Sequence, residues 1–195
     1  MKFTKIPENT FKNIQLNAGI LTNTFEVDTQ TIGDLLGATS GGINFTSTPT
    51  YNDYGDDIDN CPKNMMELKK LESWEAKMSG TFISVTAALG KKLVGAGDLA
   101  ADGIKIVPRN ELLSKDFEDL WWIGDYSEIN EDGTEGGTAG FCAIHLLNSL
   151  STGGFQIQSN DKGKGNFSFE FTGHYSMKAQ DVVPFEIYIK QGEAD

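Results

Sequence analysis

Residues 51–60, YNDYGDDIDN, hold Asp53, Asp56, Asp57 and Asp59 within seven positions and contain no cation. Carboxylates crowded in this way can coordinate a hard cation such as calcium through oxygen. A calcium loop of the EF-hand kind needs oxygen ligands at alternate positions, a central glycine and a bidentate Glu at the twelfth place. Counted from Asp53, the third position is Gly55 and the twelfth is Asn64; counted from Asp57, the sixth is Pro62 and the twelfth is Leu68. Both frames fail. The stretch reads either as a looser calcium site or as a solvated acidic loop.

Other chemistry is sparse. His145 and His174 are the only histidines, so no HExxH and no histidine–cysteine zinc cluster can be written. His145 sits in FCAIHLL and reads as a hydrogen-bonded structural residue rather than a general base. GATSGG, 37–42, is not the GxSxG of a serine hydrolase, because that frame needs Gly where Ala38 stands. DKGKG, 161–165, lacks the GxxxxGK[ST] frame and reads as a hairpin turn. Paired carboxylates could serve a glycosidase. Most of the acids, however, fall in two predicted loops, 53–59 and 125–135, rather than on strands that would hold them rigid. No cofactor or catalytic residue is expected.

The elements that must position these groups are mostly strands. The chain has 195 residues, with 22 Gly and 12 Phe, a composition that leans toward β structure with many turns. One domain is expected. In NFSFEFT, Phe167, Phe169 and Phe171 alternate with polar residues, and PFEIYIK repeats the pattern with Phe185, Ile187 and Ile189 predicted inside. Between Glu67 and Val85 two periods compete. Leu68, Leu71, Trp74 and Met78 have near-helical spacing, yet Trp74, Ala76, Met78, Gly80 and Phe82 also alternate with polar residues. The strand is favoured from about residue 69. A strand over the full stretch would extend ~60 Å at ~3.3 Å per residue, so it must bend, bulge or project as half of a hairpin.

TAALGKKLVGAGD is the clearest helix, capped by Thr86, with Leu89 and Leu93 on one face and Gly95 or Gly97 at its end. IKIV reads as a short strand. LWWIGDY and GFCAIHLL flank a segment whose Asp132-Gly133 pair signals a hairpin. INFTSTPTY reads as a strand that Pro49 confines to an edge or an end, preceded by the turn cluster 37–42. Residues 1–24 alternate poorly and read as an extended arm.

Charge narrows the function classes. Lys and Arg number 16 against 28 Asp and Glu, a formal charge of −12, which repels nucleic acid. No run approaches the roughly 20 apolar residues of a membrane span, and MKFTKIPENTF lacks the apolar segment of a signal peptide. Cys61 and Cys142 are expected as free thiols of a protein made in a reducing cytoplasm. Residues 111–140 carry nine acids against Lys115, net −8, while 63–92 carry six Lys against three Glu, net +3. Such separation suits oriented self-association, or simply two solvated faces.

Three stretches carry a family resemblance: GATSGGINFTSTPTY, CPKNMMELKKLESWEAKMSGTF and STGGFQIQSNDKGKGNFSFEFTGHYSMKAQDVVPFEIYI. They resemble the major tail (tail tube) proteins of long-tailed bacteriophages, especially those of Gram-positive hosts and their prophages, over about residues 11–190. The resemblance implies a mainly β fold with one α-helix, an antiparallel sandwich or barrel that hexamerises into a ring. Rings stack into the tube, here of the flexible kind, through a long loop and the terminal arms, placed in this chain at 50–68, 1–24 and 191–195. It also implies a structural virion protein, not an enzyme, assembled in the host cytoplasm with tape-measure, tail-tip (distal tail) and tail-terminator partners. Double-stranded DNA would pass through without specific binding, and no membrane is involved.

That architecture has a physical logic. A few curved strands per subunit cannot close a wide barrel alone, so unpaired edges meet those of the next copy in a head-to-tail contact that closes. A negative lumen repels phosphate over a Debye length of ~8–10 Å. Asp53, Asp56, Asp57 and Asp59 are accordingly expected in the inter-ring loop, facing Lys63, Lys69 or Lys70 of the adjoining ring. Glu75 and Glu170 are expected to lend charge to the lumen. The alternative readings are a calcium- or carbohydrate-binding β-sandwich module and a small hydrolase using a carboxylate pair.

Overall fold

The alternation of Ala76, Met78 and Phe82 with Glu75, Lys77 and Thr81 resolves as strand. In the computed structural model, which describes Ile6, Thr10 and residues 14–126 and 140–191, β5 runs Lys69–Phe82. Its partner β4 (Thr39–Asp53) turns back on it antiparallel, and the two form a long hairpin whose tip is residues 54–68. The helical spacing over the same stretch loses because two flanking strands take the backbone hydrogen bonds of β5. On its other side lies β10 (Phe167–Thr172), with Phe171 opposite Met78 and Phe169 opposite Gly80.

The other half of the protein is built on β8 (Glu118–Tyr126) and β9 (Phe141–Ser151), which pair antiparallel. Beside β8 lies β1 (Gln15–Thr22), and beside β9 lies β11 (Phe185–Lys190). At its far end β9 also pairs with β10, through Phe171 opposite Ser151 and Thr172 opposite Leu150. The result is one seven-stranded antiparallel sheet folded on itself at β9, with β1, β4 and β11 as unpaired edges. Two small hairpins complete it: β2 (Phe25–Glu26) with β3 (Thr31–Ile32), and β6 (Gly97–Leu99) with β7 (Ile106–Pro108). The fold is mainly β.

Between the two halves Leu21, Met78, Phe82, Leu120, Leu146 and Phe171 form a core. A second cluster, Phe25, Trp121, Ile123, Phe141 and Ala143, covers the opposite face of β8 and β9. The helix α1 (Ala87–Val94) is the one α-helix among the described residues, and Leu89 and Leu93 anchor it in the main core. Thr86 caps it by accepting a hydrogen bond from the Leu89 amide at 3.2 Å, and Gly95 ends it at φ 79°. Both ends match the sequence expectation.

Several expectations need correction. Within the predicted arm 1–24, residues 15–22 are a sheet strand whose Leu21 and Thr22 are buried. A register shift between Leu16 and Ile20, with Gly19 at φ 69°, hides their alternation. A Cβ at Gly19 would stand 2.4 Å from the Trp122 indole nitrogen, which reaches past it to donate to Ala18 O at 3.0 Å. The cluster 37–42 is not a free turn, because β4 starts at Thr39 and its glycines lie at a register shift. The long loop is shorter than 50–68, since β4 continues to Asp53.

In β11, Phe185 is half-buried as predicted, but Ile187 and Ile189 are 49% and 63% exposed. They share a face with Ile144 and Leu146, yet on an edge strand they have no further strand beside them. The predicted hairpin turn at Asp132-Gly133 and the tail 192–195 lie outside the described residues.

Candidate functional site

The register that places Asp53 opposite Lys69 makes residues 54–68 a closed hairpin tip. Asp53 holds it together: Oδ1 accepts from the Gly55 amide and Oδ2 from the Asn64 amide, each at 3.0 Å. The Tyr54 amide donates to Leu68 O at 3.0 Å, tying the two sides. Asn60 and Asn64 sit at φ 61° and 62°, a region that short polar side chains tolerate. Lys69 donates to Asn64 Oδ1 at 3.2 Å, and its Nζ lies 5.4 Å from the centre of the Tyr51 ring.

Asp53 and Lys69 are thus committed to their own tip. Asp56, Asp57 and Asp59 are exposed and make no hydrogen bond or ion pair with a described residue. Lys63 and Lys70 are exposed at the same end of the molecule. Tyr54, Ile58 and Met66 lie on this tip, Met66 with 81% of its surface in solvent. A calcium loop would need carboxylates turned inward, whereas Asp53 spends both oxygens on backbone amides. Among the described residues no three His, Cys, Asp or Glu are placed so as to hold a metal ion.

The second surface is the outer face of β4, β5 and β10. Cross-strand pairing puts Asn44, Ser79 and Glu170 in one row, Thr46, Lys77 and Thr172 in the next, and Thr48 with Glu75 beyond them. Thr50 with Ser73 and Thr81 with Ser168 extend it. Every side chain in these rows is polar, most of them short hydroxyls. Glu75 and Glu170, predicted to share a role, do share this face. Lys77 lies between them and pairs with Glu75 at 2.7 Å, leaving one excess negative charge. Thr152 donates to Glu170 Oε1 at 3.0 Å and holds that carboxylate in place.

A third charged cluster was not expected as a group. His145 stands between strands, with Nε2 3.1 Å from Asp119 Oδ2 on β8 and Nδ1 3.2 Å from Glu186 Oε2 on β11. Its ring stacks on Trp121 at 4.0 Å between centroids. Ionised carboxylates only accept hydrogen bonds, so a ring nitrogen that carries a proton donates to the carboxylate it faces. The Asn148 amide donates to Asp119 Oδ1 at 3.0 Å, and the Tyr188 hydroxyl donates to Glu186. The histidine is hydrogen-bonded on both sides, as expected for its place in FCAIHLL.

The hydrogen bond from His145 holds the Asp119 pKa below its ordinary value against burial, and that from Tyr188 does the same for Glu186. In return Glu186 pushes the Tyr188 hydroxyl up to about 12. Depressed carboxylate pKa values contribute stability above the unfolded values of about 4 and lose it as pH falls through the folded ones. Thermal melts should therefore drop steeply as pH falls below about 4. A melting temperature that holds level between about pH 4 and 2 contradicts this linkage.

A groove of about 410 Å³ runs between α1 and the 34–36 segment. Of its three carboxylates, Glu118 is paired with Lys92 at 3.0 Å and Asp116 with Arg109. The Lys92–Glu118 pair joins the basic and acidic sequence segments within one chain. Cys61 and Cys142 are free thiols. No helix among the described residues is long and apolar enough to cross a membrane. Compared with models of known protein families and with curated proteins, the chain matches none.

Proposed function

We propose that this chain is a structural protein of a bacteriophage tail tube, non-catalytic and without a cofactor, whose copies close into hexameric rings that stack around a DNA-conducting lumen. The observation that carries the reading is the pairing of a wholly polar sheet face with unpaired strand edges. From the Thr50–Ser73 row to the Thr81–Ser168 row the β4–β5–β10 face offers no apolar side chain to a partner and holds Glu75 and Glu170 at fixed places. Such a face suits contact with water and with a polyanion that must slide past. The free edges of β1, β4 and β11 offer backbone groups to a neighbour. The projecting hairpin tip suits contact along the tube axis, where the sequence resemblance also puts it.

Negative-stain electron microscopy of purified protein, concentrated and held for days without ligand, tests this. Hollow rings or tubes are the expected result. Filaments without a lumen would overturn it, whereas a monomer, which a tube nucleated by the tail tip allows, would turn the test to melting with added ligand. Calcium- or glycan-dependent melting would then favour the binding-module alternative.

A further inference from the structure

The strand order fixes where the acidic tip and a lysine-bearing turn lie. β5 begins at the acidic tip and ends at Phe82, which pairs with Phe167 at the start of β10. Just before Phe167 the chain makes a second hairpin stub, in which Gln158 and Asn166 exchange backbone hydrogen bonds of 2.8 and 2.9 Å. At its turn Lys162 and Lys164 are exposed beside Asp161, and Lys162 takes φ 57°. The 14 residues of β5 separate the two turns by about 43 Å at ~3.3 Å per residue.

The two ends differ in kind. The tip 54–68 holds four carboxylates against Lys63, net −3, and exposes Tyr54, Ile58 and Met66. The far end is net +1 over residues 158–166, and beside it Phe155 and Ile157 are 43% and 61% exposed. Lys162 and Lys164, like Asp56, Asp57 and Asp59, have no side-chain partner among the described residues. An apolar patch rimmed by one sign at one pole and by the other sign at the opposite pole is self-complementary only head to tail.

We infer that the tip of one copy docks on the 155–164 end of a second copy, Ile58 and Met66 meeting Phe155 and Ile157 while Asp56, Asp57 and Asp59 meet Lys162 and Lys164. This rests on the tail-tube reading for its biological purpose and deepens it, by naming the surface that receives the tip. Lys63, Lys69 and Lys70 cannot be the receiving residues in such a stack, because they occupy the same pole as the acids. Asp53 is excluded as well, since it closes its own loop.

Zero-length carbodiimide coupling of concentrated protein, followed by peptide mass spectrometry, tests the contact. The expected product links Asp56, Asp57 or Asp59 to Lys162 or Lys164. The separation within one chain makes any such link intermolecular. In sedimentation, K162E/K164E and D56K/D57K/D59K should each associate at least tenfold more weakly than the wild type, and a mixture of the two should regain association. Associated material without the link, or a K162E/K164E protein that associates normally, overturns the inference. A persistent monomer that yields no link also overturns it. Hollow tubes lacking the link would sink this contact alone, whereas linked filaments without a lumen would keep the contact and sink the tube.

Discussion

Asp116→Ala should lower the melting temperature by roughly 6–12 °C, the largest single-residue effect expected outside the apolar core. The Asp116 side chain is fully enclosed while Arg109 beside it is 17% exposed. Burial pushes the Asp116 pKa up, but the Leu113 amide, donating at 2.8 Å, and the Arg109 guanidinium outweigh it and hold it down. Arg109 also donates to Glu111 O at 3.0 Å. Its Nε lies 2.8 Å from Asp98 Oδ2, a close ion pair rather than an aligned hydrogen bond.

Lys115 closes the cluster on Asp98 at 2.7 Å. These contacts tie the β6–β7 hairpin to the turn that launches β8. Removing one partner of a buried pair leaves the other charge uncompensated and costs about 3 kcal/mol, slightly relieved here by Asp98. For a chain of this size that is ~2–4 °C per kcal/mol. Asp116→Asn, which can still accept from Leu113, should lose about half as much. A shift below about 2 °C for the alanine variant would show that Asp98 alone can hold the guanidinium.

On the tail-tube proposal, reversing the charge of the polar face should turn a surface proposed to exclude DNA into one that retains it. Glu75→Lys with Glu170→Lys places three lysines, including Lys77, where two carboxylates and one lysine now stand. Repeated around a ring, these lysines would line the lumen and release counterions from any duplex inside it. The fold should change little, since the Glu75 side chain is 58% exposed and exposed pairs contribute about 0–1 kcal/mol.

Assembled variant tubes should co-sediment with short duplex DNA at low salt, where wild-type tubes do not. The affinity should fall at least tenfold as salt rises from about 50 to 200 mM. Variant tubes that still exclude DNA would place this face outside the lumen. The neutral pair Glu75→Gln and Glu170→Gln separates loss of repulsion from gain of attraction.

Local pattern made most of this fold readable. Thr86, Leu89 and Leu93 mark a helix because cap and apolar spacing agree, and 69–82 marks a strand because its alternation is sustained. Alternation, however, tells which residues share a face and not whether another layer covers it. Ile187 and Ile189 share the face of buried Ile144 and remain exposed, because β11 ends the sheet. Residues 15–22 fail in the opposite sense. Two left-handed residues, Asn17 and Gly19, lie where the register shifts, and the pattern that would reveal a strand is broken at the place where Trp122 needs the space.

The candidate surfaces were legible in part. The acids of 53–59 stand out by composition, but the sequence does not show that Asp53 has turned inward to staple the loop while its three neighbours face solvent. The joint placement of Glu75 and Glu170 follows from the strand pairing of residues far apart in sequence. The same holds for the Asp119–His145–Glu186 cluster. Each member lies on a different strand, and only the register of β8, β9 and β11 brings them together.

The paired ladder between the two halves of the sheet is two residue pairs long, Phe171 with Ser151 and Thr172 with Leu150, prolonged by bonds from the Thr152 and Gly153 amides to Glu170 O and from the His174 amide to Leu147 O. By contrast, six pairs join β10 to β5 and six join β11 to β9. A ladder resists shear along its strands, and each half of the sheet holds its own longer one. A sideways load on the hairpin tip would be carried along β5 and meet the narrowest paired section where β10 meets β9. In the proposed tube each copy would then serve as a link in a hose rather than as a stave in a barrel.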